Sequence, residues 1–302
     1  MENVMSRQAG QRELALVYGL LLLVAVVWGT SYGVTKIALA YISISLFISL
    51  RFGITFILLL PGFLKDFRQG LNRDWIYVLP TGFILSAIFH CEVTGIYHTT
   101  AANAAVLISL SAMMTLVLDC VLFRQRESVL LWVFTAISVI GVVMLVHDKE
   151  FQFTLNHGDG YILAAAGLRA LMVTVTRVLQ KNRQVSTRSI TAIQSLLVTI
   201  CFVCFTLVQG QTLQFPSDSQ FWLWMIYLVV ACTLFAFYVQ NLALKSISST
   251  RVSMILGSEP LFGVLFALLL LHEQLSTTQA LGALLIIVSV SAAIFTSKST
   301  RN

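Results

Sequence analysis

A helix needs about 20 mostly apolar residues to cross a bilayer, whereas a barrel strand needs only about 9–11. Ten long apolar blocks follow one another along this chain, at roughly residues 14–37, 43–63, 75–97, 102–123, 128–147, 159–180, 189–209, 221–243, 251–271 and 276–296. Short connections separate them and hold most of the charge. Within hydrocarbon every backbone polar group needs an internal partner, and a helix supplies one for each residue. The pattern therefore predicts an all-α membrane protein with ten transmembrane helices. The ninth block contains "ILGSEPLFGVLFALLLL", Ile255 to Leu271, with Glu259 and Pro260 side by side inside it. A carboxylate at that depth costs about 2.5–3.5 kcal/mol or more, and proline lacks the amide donor a helix interior uses. Both features mark a place where the helix serves something other than spanning.

Polar positions inside the other blocks recur at helical spacing. Trp28, Tyr32 and Lys36 are spaced i, i+4, i+8, and Gly29 with Gly33 forms a G-x-x-x-G that permits close helix contact. Ser86, His90, Thr94 and His98 form a stripe in the third block, and Ser111, Thr115 and Asp119 form one in the fourth. Thr233, Phe237 and Gln240 do so in the eighth, with Asn241 adjacent. Such stripes are expected to face the bundle interior or a water-filled cavity. Glu92 lies about 200° around the helix from His90, and Arg51 is one candidate partner for it. Asp119 is expected to pair with the basic region near Arg124.

At 1.5 Å rise per residue, Glu259 and Arg169 each sit roughly 12 Å from a helix end, near the middle of a hydrocarbon core about 30 Å thick. Two readings are open for them: a permanent ion pair, or opposite ends of a zwitterionic ligand. The candidate substrate-binding residues are Trp28, Tyr32, His90, Thr94, Ser111, Arg169, Thr233, Phe237 and Glu259. Glu259 is also the candidate for proton coupling, and Pro260 is the expected helix kink.

Composition narrows the class. Of 302 residues, 58% are hydrophobic and 11% charged, against about 25% charged in a soluble domain. The net charge of +6 does not indicate nucleic acid, because the basic residues lie in short loops. With the N-terminus placed inside, 15 of the 19 Lys and Arg residues fall on the cytoplasmic side, and only Lys36 and Lys149 fall outside. That asymmetry predicts cytoplasmic termini. The first block is too long for a signal-peptide core and reads as a retained helix. All five cysteines lie in apolar segments, so the Cys201–Cys204 spacing reads as helix packing rather than a metal or redox site.

No nucleotide-binding P-loop, G-x-S-x-G or H-E-x-x-H occurs, which argues against an ATP-driven pump or an intramembrane hydrolase. The short loops leave no extramembrane domain for a sensor. The absence of an Asn-x-Ser/Thr sequon and of a retrieval signal in the tail "STSKSTRN" fits a bacterial inner membrane.

Ten helices divide into five plus five, so homologous halves would have opposite topology, a frequent transporter plan. The expected units are a tail at 1–13, one repeat at 14–147, an external linker at 148–158, a second repeat at 159–296 and a tail at 297–302. "WGTSYGVTK" from Trp28, "SLRFGITFILLL" from Ser49 and "SEPLFGVLFALLLLHEQLSTTQALGALLIIVSV" from Ser258 resemble the helix patterns of the drug/metabolite transporter superfamily, of the ten-helix EamA-domain type. The resemblance implies two five-helix repeats around a central cavity and no cofactor. It implies a secondary active transporter, an exporter of amino acids or their derivatives, with drugs or other toxic metabolites as the alternative cargo. Its partners would be a small-molecule substrate and the lipid bilayer, in a monomer or homodimer; Glu259 adds protons as the candidate coupling ion, with uniport or exchange left open. At an offset of 148 residues, Ser111-Ala112 stands where the second half has Glu259-Pro260, and Gln125 where it has Glu273. The acid and the proline are thus expected from the second half alone.

Overall fold

Backbone satisfaction in hydrocarbon leaves helix as the available form for these blocks, and among the described residues no strand occurs. The structure, a computed structural model, describes residues 2–99, 104, 107–123, 128–146, 157–181, 183–210, 215–263, 265 and 276–296. Its helices are α1 (Glu2–Ala38), α2 (Ile44–Arg68), α3 (Leu79–His98, entered through a 3-10 turn at Trp75–Val78), α4 (Ser111–Phe123) and α5 (Val129–Val146). Then come α6 (His157–Gln180), α7 (Thr187–Val208), α8 (Ser219–Val229), α9 (Ala236–Ser246), α10 (Ser249–Leu256) and α11 (Thr277–Thr296). A π-helical turn, Val230–Phe235, joins α8 to α9.

Six described stretches are long and apolar enough to cross a membrane: Arg12–Ala38, Ile44–Arg68, Trp75–His98, His157–Gln180, Thr187–Val208 and Ser219–Ser246. Leu107–Leu122, Val129–Met144 and Thr277–Ala292 are apolar but shorter. The expected block at 251–271 is helical at its start and again over residues 259–263. Its end at 266–271, the start of the fourth block at 102–103, the tail at 297–302 and most of the linker at 148–158 lie outside the described residues, as do Arg124, Gln125 and Glu273.

The helices pack in pairs distant in sequence. α2 lies along α7, α3 along α6, α5 along α11, α1 along α9 and α4 against α10. One core joins Leu21, Val24 and Trp28 of α1 to Phe47 and Phe52 of α2, Phe89 of α3 and Phe237 of α9.

Two local devices fix the region around Glu259. The first is Asp119, buried on α4. Its carboxylate accepts from the Ser249 hydroxyl at 2.7 and 2.8 Å, from the Thr250 hydroxyl at 2.7 Å, from the Thr250 amide at 3.1 Å and from Thr174 at 3.1 Å. A carboxylate at a helix N-terminus meets unpaired amides and the positive end of the helix dipole. Asp119 therefore anchors the start of α10; the region near Arg124 expected as its partner lies outside the described residues.

The second device is a break. α10 stops at Leu256, Gly257 and Ser258 turn, and the helix resumes at residues 259–263. The interruption precedes the proline. Pro260 occupies the second residue of the resumed stretch, where an amide has no helical acceptor to lose. The kink expected at Pro260 is a discontinuity at residues 257–258, with proline restarting the helix.

α1 crosses this resumed stretch backbone to backbone. A Cβ on Gly29 would lie 2.5 Å from the Glu259 carbonyl oxygen and 2.8 Å from the Gly263 nitrogen, whereas one on Gly33 would meet nothing within 4 Å. Only the first glycine of the G-x-x-x-G is used for close approach. Gly29→Ala is expected to cost about 1–3 kcal/mol through overpacking, while Gly33→Ala stays within about 0.5 kcal/mol. Thermal unfolding of both variants in detergent checks this, and equal melting temperatures would contradict the crossing.

Candidate functional site

The site begins with one face of α1. Trp28 and Tyr32, one turn apart, are both buried beside the broken helix. The Tyr32 hydroxyl donates to Glu259 Oε2 at 2.9 Å. Arg169, from α6, donates from Nη2 to Glu259 Oε1 at 3.2 Å. Its guanidinium carbon also stands 4.8 Å from the centre of the Trp28 ring, a cation–π contact. Trp28 in turn donates its indole N–H to the Cys232 carbonyl at 2.8 Å.

That carbonyl is available because of the π turn. A π-bulge disturbs the regular i→i−4 ladder, and such bulges recur at functional sites. The Thr233 hydroxyl donates across the bulge to the Leu228 carbonyl at 2.8 Å. Arg51, buried on α2, uses the same turn. It donates from Nε to Thr233 Oγ1 at 2.6 Å and from Nη2 to the Cys232 carbonyl at 3.3 Å, and its guanidinium lies 5.2 Å from the Phe89 ring. One irregular turn thus holds an indole and a guanidinium in place.

These groups surround a central cavity whose free volume is about 40 Å³. That admits water and is too small for an amino acid, so this conformation is closed around its charges. Among the described lining residues the charged ones are Arg51, Arg169, Glu92 and Glu259. Two cations and two carboxylates balance.

Of the residues expected from sequence, Trp28, Tyr32, Ser111, Arg169, Phe237, Glu259 and Pro260 line this cavity together. Thr233 stands behind it, holding Arg51. His90 and Thr94 lie elsewhere, in a separate cleft of about 420 Å³ with Ser43, Ser45, Tyr97 and Gln209. The His90 ring packs 5.8 Å from Phe205 and 6.3 Å from Tyr161. The reason is that α3 turns its apolar face inward: Leu85, Ile88, Phe89, Val93 and Ile96 line the central cavity with Glu92 in their midst.

The candidate residues left out Arg51, Glu92 and Ser253, although all three line the cavity, as does Gln240 of the stripe expected to face the interior. The available signal for Glu92 was a single charge in an otherwise apolar i, i+3, i+4 stripe. Arg51 and Glu92 make no salt bridge with each other. Among the described residues no three His, Cys, Asp or Glu side chains cluster as metal ligands would.

The model of the EamA-like transporter family matches this chain twice, at residues 15–147 and 156–295. The chain belongs to the EamA-like transporter family. A protein of Escherichia coli named "Probable amino-acid metabolite efflux pump" is 26% identical over 286 residues, covering 91% of this chain and 94% of that protein. An uncharacterized transporter of Methanothermobacter thermautotrophicus is 21% identical over 225 residues, and the match spans 72% of this chain but only 64% of that protein. A crystal structure with 15% identity superposes with a TM-score of 0.78, covering 95% of this chain and 99% of the other, and so shares the fold. This EamA-like protein is a multi-pass membrane transporter.

Proposed function

We propose that this EamA-like transporter is a secondary active exporter of the bacterial inner membrane, moving an amino acid or amino-acid derivative by alternating access. The observation that carries the reading is the cavity whose described lining balances two cations with two carboxylates, the Arg169–Glu259 pair among them, beside the rings of Trp28, Phe89 and Phe237. A balanced pair of cations and carboxylates suits a net-neutral zwitterion, because burying an unpaired charge is costly. The name of the Escherichia coli relative supports the same cargo class. In the closed cavity the substrate has no room, so loading and release require the helices to part.

The architecture we infer is ten helices in two inverted five-helix repeats, with both termini cytoplasmic. The two family matches support two repeats. Helix pairing supports their relation, since exchanging the halves maps α3 on α6 onto the continuous α8–α9 span on α1, and leaves α2 on α7 as it is. α2 and α7 also end alike, each in a Gln followed by a glycine, Gly70 or Gly210, with φ of 70° and 65°. Only glycine adopts such φ values without strain. The broken ninth helix matches the discontinuous helices that build transporter sites.

Protons are the coupling ion in this reading, with Glu259 as their carrier. A growth-resistance screen against amino acids and their analogues after overexpression, followed by counterflow of the hit in proteoliposomes, tests the cargo. Resistance only to lipophilic drugs would transfer the assignment to drug export. In the same vesicles Glu259→Gln is expected to abolish the pH dependence of transport; an unchanged pH profile would remove Glu259 from coupling.

A further inference from the structure

The two carboxylates of the cavity are not equivalent. Glu259 is 2% exposed, and both of its oxygens are engaged, Oε1 by Arg169 and Oε2 by Tyr32. An incoming ammonium group would share those oxygens with a guanidinium and a phenol already bonded to them. Glu92, on α3, is only half-buried and lines the same cavity. Among the described residues it makes neither a hydrogen bond nor a salt bridge. It nevertheless lies within electrostatic reach of Arg51, Arg169, Tyr32 and Glu259.

The cations show the complementary pattern. Arg51 spends Nε and Nη2 on the π turn and leaves Nη1 without a hydrogen bond among the described residues. Arg169 gives one donor to Glu259 and keeps its others. Uncommitted groups of both signs therefore face one space, and the committed pair holds the wall.

We propose that Glu92 is the specificity-determining carboxylate of this site, receiving the α-ammonium of an amino-acid substrate whose carboxylate meets the guanidinium groups. This rests on the amino-acid reading above and deepens it. The apolar residues beside Glu92 on α3, Ile88, Phe89 and Val93, lower the local dielectric and raise the strength of that ion pair. Analogues without an amine leave Glu92 unpaired and are carried less well, since a partly buried charge left unmet costs more than a missing attraction. Glu259 keeps a different task, carrying the coupling proton while its bonds to Tyr32 and Arg169 tie α1 and α6 to the broken helix.

The test uses the full chain in proteoliposomes. Counterflow is measured with L-phenylalanine, L-methionine and L-leucine, each against its des-amino analogue, 3-phenylpropanoate for the first. Wild type is expected to prefer the amino acid. Glu92→Gln is expected to lower that preference by about 10- to 100-fold, with carriage of the des-amino acid retained as proof of a folded carrier. Glu92→Asp is expected to recover part of the preference. A Glu92→Gln protein that discriminates like wild type overturns the assignment of Glu92 alone. A wild type that folds but carries none of the three amino acids overturns both this assignment and the amino-acid reading. Loss of preference in Glu259→Gln with none in Glu92→Gln would move the ammonium site to Glu259.

Discussion

Arg169→Met is expected to abolish transport and to destabilise the protein by about 3–5 kcal/mol, the range found when one partner of a buried ion pair is removed. The geometry explains the size of the effect. Glu259 would keep only its bond from Tyr32, in a site where it is 2% exposed, and Trp28 would lose the guanidinium stacked on its ring. The double variant Arg169→Met, Glu259→Met is expected to regain most of the stability without regaining transport. An apolar pair of similar size removes the desolvation cost along with the attraction, but not the need for charge in the site. Melting temperatures in detergent and counterflow in vesicles report the two quantities separately. Full transport by the single variant would show the pair to be dispensable.

Asp119→Ala is expected to be the most damaging change outside the cavity, with a loss on the order of 3 kcal/mol. One carboxylate satisfies two hydroxyls and an amide at the start of α10, with a further hydroxyl from α6. Removing it leaves those buried donors without an acceptor. α10 leads directly into the Gly257–Ser258 break, so the lesion should also misplace Glu259. Asp119→Asn keeps one oxygen and is expected to recover about half of the loss by the same reasoning. Expression level and thermal unfolding of the two variants check the order. Equal behaviour of Asn and Ala would mean that charge at the helix terminus, rather than hydrogen bonding, carries the effect.

Much of the candidate site was visible in the chain because membranes make charge expensive. Glu259 and Arg169 stand out in apolar blocks, helical rise places them at one depth, and the structure joins them at 3.2 Å. Trp28 and Tyr32 share a face by their spacing, and both reach the cavity. The same logic ranked the faces of α3 by polarity and favoured His90 and Thr94. The cavity face of α3 is instead the apolar one with Glu92, because closing five or more helices around a small space takes more hydrocarbon than polar surface.

Other decisive features left no mark on the sequence that local rules can read. The π turn at Val230–Phe235 contains no proline or glycine, yet it supplies the carbonyl and hydroxyl that hold Trp28 and Arg51. A π-bulge is stabilised by the partners it meets, and those partners are 181 to 205 residues away. Asp119 likewise looks like an end-of-helix charge until α10 is brought against it. Gly29 and Gly33 are equivalent in sequence, and only the crossing with residues 259–263 separates them.

By itself the sequence determined that the chain is an all-helical membrane protein, where its apolar segments run, and which few charges lie deep within them. Those properties follow from the cost of leaving backbone or side-chain polarity unpaired in hydrocarbon, a cost each residue bears locally. The tertiary structure alone decided which charges meet, which face of α3 closes the cavity, and that Glu259 is committed while Glu92 is open. Pairing and commitment depend on distances between helices remote in sequence, and only the packed bundle sets those distances.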